Sequence, residues 1–378
     1  MKILFCGGGT GGHFYPIIAV AQAVMEKAEA RRILSPQLLY MAPSKYNPRE
    51  LFDNNIDFVK VPAGKIRRYF SFLNFSDALK TLVGCAIALW KMYRLYPDVV
   101  FGKGGYASFP PLLAARILRI PVVIHESDSK PGRVNAWAGK FAAKIAISYE
   151  DAAVYWKTEA NKIAHTGNPV RKEIAIPLSN GAREFFGLEA DTPVVVILGG
   201  SQGAQAINDA VIEGLPELLE KYQVIHQTGR ANLAEIKETT GEILRNHAHA
   251  SRYHPYDFLN ELSLRMSAGV ANIIVSRAGS GAISEIAVWG LPAIIIPLPH
   301  SVSHDQTTNA FTYARTGAAS VIEENNLSAH VLIAEINRIC DNRAIIETMR
   351  EQAKKFARLD AADIIADALL DIALSHEK

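Results

Sequence analysis

The first residues that could do chemistry are Gly7-Gly8-Gly9-Thr10-Gly11-Gly12-His13, which follow the apolar run Lys2 to Cys6. Glycines let a backbone approach a ligand closely. A helix beginning after them, over Pro16 to Ala30, would aim free N–H groups and a positive dipole end at an anion. His13 closes the loop, where a neutral imidazole could take a proton from an incoming hydroxyl. A plain βα connection, its histidine bonded to the helix backbone, would use the same residues. So would a dinucleotide site: Gly7, Gly9 and Gly12 fit G-x-G-x-x-G loosely, but Leu38 to Pro43 lacks the acidic residue that holds a ribose.

The glycine turn recurs. Gly102-Lys103-Gly104-Gly105-Tyr106-Ala107-Ser108 follows Pro97 to Phe101, and Gly199-Gly200-Ser201-Gln202-Gly203-Ala204 follows Pro193 to Leu198, with Ser201 placed to donate to a phosphate oxygen. Small residues from Ser276 to Ala282 lead to Glu285, inside an expected helix. Its carboxylate suits both hydroxyls of a ribose; the alternative is a first-turn acid favoured by the helix dipole. His125-Glu126-Ser127-Asp128-Ser129 forms a polar cluster at the end of a strand over Ile120 to His125. His300, His304, Asp305, Gln306 and Asn309 follow Pro297-Leu298-Pro299, a proline-flanked loop without the His-Glu-x-x-His helix of a metal site. Asp-x-Asp and Gly-Lys-Ser/Thr are both absent from the sequence. A bound diphosphate is therefore expected to need no metal cofactor, and to be neutralised by helix N-termini and a cation. Arg171, in Gly167-Asn168-Pro169-Val170-Arg171, is a candidate, and equally a solvated linker residue.

Such loops need a frame of short strands and intervening helices. Gln37 to Ala42 and Phe58 to Pro62 read as further strands in the first half; Gln223 to Gln227, Ile273 to Ser276 and Ala293 to Pro297 do so in the second. This alternation predicts an α/β fold of two Rossmann-like doubly wound domains facing across a cleft. The expected bounds are 1–168 and 169–357, with linker chemistry over Gly167 to Asp191. One or two amphipathic helices are expected over Ile345 to Leu374, the last (about 358–378) packing back onto the first domain.

With 378 residues, 49% hydrophobic, 21% charged and a net charge of +2, the chain suits two soluble domains and no nucleic-acid partner. Three scattered cysteines read as buried small hydrophobes in a reducing compartment. No signal-peptide pattern opens the sequence, and Leu82 to Trp90 is about half the length of a bilayer span. Lys65, Arg67 and Arg68 with Phe70, Phe72 and Phe75, just before that apolar stretch, fit an anionic membrane surface; a buried helix with a basic flank is the alternative.

Taken in order, Gly8 to His13, Gly102 to Ser108, His125-Glu126, Gly167 to Arg171, Gly199 to Ala204 and Ser284-Glu285 through Gln306 and Asn309 resemble the MurG family of peptidoglycan N-acetylglucosaminyltransferases. The resemblance runs from about Met1 to Ala310. It implies a GT-B fold and inverting transfer of GlcNAc from UDP-GlcNAc to the 4-hydroxyl of MurNAc-pentapeptide-diphospho-undecaprenol (lipid I), giving lipid II. It places Thr10, Gly11, Gly12, Arg171 and Ser201 on the donor, and Leu259 beside the uracil. Ser280, Gly281, Ala282, Ile283, Ser284 and Glu285 line the nucleotide, with Glu285 on the ribose, and Gln306 binds the sugar. His13 is the base candidate, with Tyr106, Glu126 and Asn309 near the reacting groups. Ser127-Asp128 stands where the family often has Gln-Asn, which leaves Asp128 as an altered substrate contact; Asp305 stands where a second Gln is common. The resemblance further implies a peripheral place on the cytoplasmic face of the bacterial plasma membrane, with cell-wall synthesis proteins as optional partners. Competing readings are another GT-B enzyme, such as a glycolipid glycosyltransferase or a UDP-GlcNAc 2-epimerase, and a non-catalytic nucleotide-binding regulator.

Overall fold

The computed structural model describes residues 1–65, 73–200, 203–300 and 303–375. Two compact units emerge: Met1–Arg171 with Arg358–Lys378, and Lys172–Ala357.

The first unit runs β1 (Lys2–Cys6), α1 (Gly11–Ala30), β2 (Gln37–Ala42), α2 (Pro48–Asp53), β3 (Ile56–Lys60), α3 (Leu73–Leu95), β4 (Val99–Gly102), α4 (Phe109–Leu118), β5 (Val122–Glu126), α5 (Arg133–Ala138), β6 (Lys144–Ile147) and β7 (Ile163–His165). Its seven strands are all parallel, in the order β3-β2-β1-β4-β5-β6-β7. β4 and β5 are buried along their whole length. That is why they read as continuous apolar runs: helices cover both faces of a parallel sheet. The order reverses between β1 and β4, so the loops at their carboxyl ends border the crevice where such sheets bind ligands. Those loops are Gly7 to Thr10 and Lys103 to Gly105.

The second unit repeats the plan with α6 (Ala182–Phe186), β8 (Val194–Leu198), α7 (Gln205–Lys221), β9 (Gln223–Gln227), α8 (Leu233–Ile243), β10 (Tyr253–Tyr256), α9 (Glu261–Val270), β11 (Ile273–Ser276), α10 (Ser280–Trp289), β12 (Ala293–Ile295), α11 (His304–Arg315), β13 (Ala319–Val321), α12 (Ala329–Cys340) and α13 (Arg343–Phe356). Its parallel order is β10-β9-β8-β11-β12-β13, with the reversal between β8 and β11. The stretch with linker chemistry is only partly a linker. From Lys172 onward it belongs to this unit: Ile174 and Phe186 are buried, the Trp289 indole donates to the Ile174 carbonyl (2.7 Å), and Leu178 N–H donates to Arg265 O (3.0 Å).

The chain then returns to the first unit as α14 (Ala361–Leu374). Ala362, Ile365, Ala366, Leu369, Leu370 and Ala373 join the core around α1. Lys27 pairs with Asp367 (3.1 Å), and Arg31 with Asp367 and Asp371 (2.6 Å each). These partly exposed pairs contribute a few tenths of a kcal/mol each, whereas each buried Leu or Ile contributes about 1.5–3 kcal/mol. The apolar stripe holds the helix, and the ion pairs fix its register. Gly167 (φ +81) is needed where the chain leaves and re-enters this unit, because a Cβ there would lie 2.4 Å from Arg358 Cβ.

Candidate functional site

In the first unit, α1 begins earlier than the sequence suggested, so Gly11, Gly12 and His13 form its first turn rather than a loop. Thr10 is the N-cap, yet its side chain makes no capping bond. Its hydroxyl meets His13 Nδ1 instead (2.9 Å), and α1 presents an uncapped amino end. A Cβ at Gly9 (φ +97) would lie 2.9 Å from the Tyr106 ring, and one at Gly105 (φ +76) would lie 3.3 Å from His13 Nε2. The two loops thus close around His13 and Tyr106, both half-buried. Burial, then the Lys103 ammonium, pushes the His13 imidazole down to about 4. It is therefore neutral at physiological pH. With Nδ1 on Thr10, Nε2 is the nitrogen that remains to act on a proton.

Glu126 ends β5 buried, and its carboxylate is already used by the protein. It accepts from Asp128 N–H, Gly132 N–H and Asn135 Nδ2, each at 3.0 Å. Burial and the neighbouring Asp128 push its carboxyl up. This is the geometry of a group that shapes the 127–132 loop. His125 is fully buried, with Nε2 on the Gly167 carbonyl (3.0 Å), so it anchors the Gly167–Arg171 segment to the sheet. Arg171 is no solvated linker residue: its guanidinium pairs with Glu50 (2.7 Å), both partly buried, and lies 4.4 Å over the Tyr15 ring. Glu50, Lys103 and Asn135 did not stand out in the sequence as site residues. Lys103 offered one signal, a charge set between glycines at a strand's carboxyl end.

In the second unit, Ser201 lies outside the described residues. Just after it, Gly203 (φ +80) lies close to the end of β9, since a Cβ there would lie 2.3 Å from Thr228 O. α7 and α10, which follow the central strands β8 and β11, both start without a side-chain cap. α10 has an open face of Gly281, Ala282, Ser284 and Glu285, and a core face that includes Ile283, which is fully buried. The expected lining role of Ile283 is thereby reduced to its backbone. The Ser284 hydroxyl is spent on Ser280 O (2.8 Å). Glu285 is the sixth residue of α10, and no acid stands in its first turn. The dipole explanation for that carboxylate therefore fails.

Cβ atoms added at Gly279 and Gly281 would meet nothing within 4 Å, and neither residue has a positive φ. Nothing among the described residues requires glycine at either position, which leaves room there for a ligand. Gly281→Ala is expected to stabilise the unit by up to about 0.5 kcal/mol through helix propensity. It should nonetheless weaken binding of the expected sugar nucleotide several-fold, as roughly 1 kcal/mol of steric cost implies. Thermal melts and calorimetric titration of one variant read both signs, and unchanged affinity would leave the open face without a ligand role.

Leu259 is buried, and its N–H donates to Gln227 Oε1 (3.1 Å), a bond that fixes the loop after β10. Gln306 Oε1 accepts from Leu298 N–H (3.1 Å), and buried Asn309 reaches Ala278 O (3.4 Å). Both side chains tie the start of α11 to neighbouring loops. No group of three or more His, Cys, Asp or Glu is placed to hold a metal ion among the described residues.

Residues 3–147 match the glycosyltransferase family 28 N-terminal domain, and residues 194–365 match the family 28 C-terminal domain. The chain is 32% identical over 372 residues to a Treponema denticola protein named UDP-N-acetylglucosamine--N-acetylmuramyl-(pentapeptide) pyrophosphoryl-undecaprenol N-acetylglucosamine transferase, covering 95% of this chain and 93% of that one. A protein of the same name from Caldanaerobacter subterraneus is 34% identical, with 96% and 97% covered. Among solved structures, Acinetobacter baumannii MurG superposes with a TM-score of 0.73 at 26% identity, over 98% of this chain and 99% of that one. The Neisseria meningitidis UDP-GlcNAc 2-epimerase bound to UDP-GlcNAc superposes with 0.67 at 14% identity, over 98% and 100%, a likeness of fold alone.

Proposed function

The chain belongs to the MurG family of family 28 glycosyltransferases, and on that premise we propose that it transfers GlcNAc from UDP-GlcNAc to the 4-hydroxyl of the MurNAc unit of lipid I. The products are lipid II and UDP, with inversion at the sugar. The observation that carries the reading is that proteins named for this transfer are 32% and 34% identical to the chain overall, over 95% and 96% of its length. The epimerase match, at 14% identity, is a likeness of fold alone.

In this reading the second unit holds the donor. The uncapped ends of α7 and α10 face the diphosphate, with Ser201 donating to it, and Glu285 accepts from the ribose. Arg171, Thr10, Gly11 and Gly12 supply further donors, and the scheme needs no bound metal. Leu259 adjoins the uracil, while Gln306 and Asn309 shape the sugar pocket. In the first unit, His13 removes the acceptor proton, Tyr106 lies near the reacting groups, and Glu126 with Asp128 forms the loop against the acceptor. Measuring UDP release from UDP-GlcNAc with and without a lipid I analogue tests this. Release that does not depend on acceptor would favour the epimerase or an inert binder.

The acceptor's lipid demands a membrane surface, and α3 supports one. Phe75, Leu79, Leu82, Val83, Trp90 and Tyr93 recur at helical spacing and are 47–82% exposed. The opposite face, with Ala88 and Met92, is buried, so the described part of α3 leaves one apolar side outside. Lys65 and Lys80 are exposed, and the Arg94 guanidinium lies 4.9 Å over the Trp90 ring. Arg67, Arg68, Phe70 and Phe72 fall outside the described residues. Among the described residues no helix is long and apolar enough to cross a membrane. The reading is peripheral attachment at the cytoplasmic face of the plasma membrane, by an amphipathic face with basic flanks. Changing Leu79, Leu82 and Trp90 together to serine should reduce co-sedimentation with phosphatidylglycerol vesicles about tenfold or more, as the loss of that apolar area implies. Equal partitioning of variant and parent would remove α3 from this role.

A further inference from the structure

Lys103 follows β4 and is 1% exposed, an unusual place for an ammonium group. Its backbone N–H donates to Cys6 O (2.8 Å), and a Cβ at Gly7 would lie 3.0 Å from Lys103 Cβ, so its stem runs beside the first glycine loop. Its Nζ donates to Ser127 Oγ and to Asn168 Oδ1 (3.4 Å), and Ser127 Oγ in turn donates to Asn168 Oδ1 (3.3 Å). One cation thus joins three segments that the chain delivers separately: the turn after β4, the loop after β5 and the stretch after β7. Two residues on, Gly105 packs against the His13 ring.

A buried ammonium persists only with counter-charges, and Glu126 and Asp128 are those that act on it. The other titratable groups around it are Cys6 from β1, Tyr40 from β2, Tyr106 after β4 and His125 on β5. Burial pushes the Cys6 thiol up to about 12, pushes the Tyr40 phenol up, and pushes His125 well down. The charge that bears on His13 is therefore that of Lys103, and Asp128 and Glu126 act on Lys103 in turn.

We propose that Lys103 is a positioning residue for the transfer reaction, bracing the 127–132 loop against Asn168 and setting a positive charge behind His13 that keeps the imidazole free to accept a proton. The proposal rests on the transferase reading and on His13 as the base. It also gives Asp128 a role as counter-ion to Lys103. Burial and the Lys103 charge both lower His13's proton affinity, so the direction of each charge change is fixed. Removing the cation raises it, and removing a carboxylate lowers it further.

The test is the pH profile of kcat/KM for acceptor-dependent UDP release by the parent, Lys103→Met and Asp128→Asn, with melting temperatures for all three. Histidine NMR of His13 gives the same titration without turnover. Lys103→Met should lower kcat about tenfold and move the acid limb, and the His13 titration, upward by about one pH unit; Asp128→Asn should move both downward. Limbs and titrations that stay at the parent values, whatever happens to stability, overturn the proposal. If Lys103→Met does not fold, the downward shift in Asp128→Asn decides alone. A parent enzyme without acceptor-dependent release would overturn the transferase reading instead, and the NMR titration would still judge Lys103.

Discussion

Replacing His13 with alanine should lower turnover by about 10²-fold or more while UDP-GlcNAc affinity stays within about twofold, because general-base assistance is lost and donor contacts are not. The imidazole stands at the amino end of α1 with Nδ1 on the Thr10 hydroxyl, which leaves Nε2 as the reactive nitrogen. Its pKa, pushed down to about 4, fixes the expected pH behaviour. A base works only when deprotonated, so activity falls as pH drops through the value for the free enzyme. The acid limb of kcat/KM should then lie well below the ordinary histidine value of about 6.5. His13→Gln should be as poor as alanine, since glutamine can hold Thr10 but cannot take the proton. Parent-like turnover in either variant would pass the base role to another group.

The frame was legible because parallel strands buried on both faces must be apolar throughout. β2 and β9 lie where Leu38-Leu39-Tyr40-Met41 and Val224-Ile225 place them, and the glycine turns mark the carboxyl ends of β1, β4 and β8. The start of α1 was less legible. Gly11 and Gly12 have poor helix propensity, yet the first turn tolerates them where N–H groups stay free for an anion. The Gly167–Asp191 stretch has the composition of a linker, and only tertiary burial of Ile174 and Phe186 shows otherwise. Charged residues were the hardest to read. Lys103 and Arg171 look solvated in a sequence, and their counter-charges Glu126 and Glu50 come from distant segments that only the folded sheet brings near. The α3 surface was placed partly by composition, around residues 65–75. The longer stripe from Phe75 to Tyr93 follows helical periodicity, and only the burial of the opposite face shows that it is left outside.

Glu285→Ala should weaken UDP-GlcNAc binding by about 10- to 100-fold, the cost of losing a charge-assisted hydrogen bond of about 1.5–3 kcal/mol. The carboxylate lies beyond the first turn of α10, so the helix dipole gives it little support there. It shares the open face with Gly281, one helical turn before it, where a side chain would meet nothing within 4 Å. A ligand entering over Gly281 would therefore reach Glu285 next, and a ribose diol is the chemistry that uses both carboxylate oxygens. Donor analogues make the assignment specific. The parent should discriminate against 2′-deoxy and 3′-deoxy UDP-GlcNAc, and Glu285→Ala should bind these and the normal donor about equally, since the partner of the missing hydroxyl is gone. The same discrimination in parent and variant would place the ribose elsewhere, even if overall affinity fell.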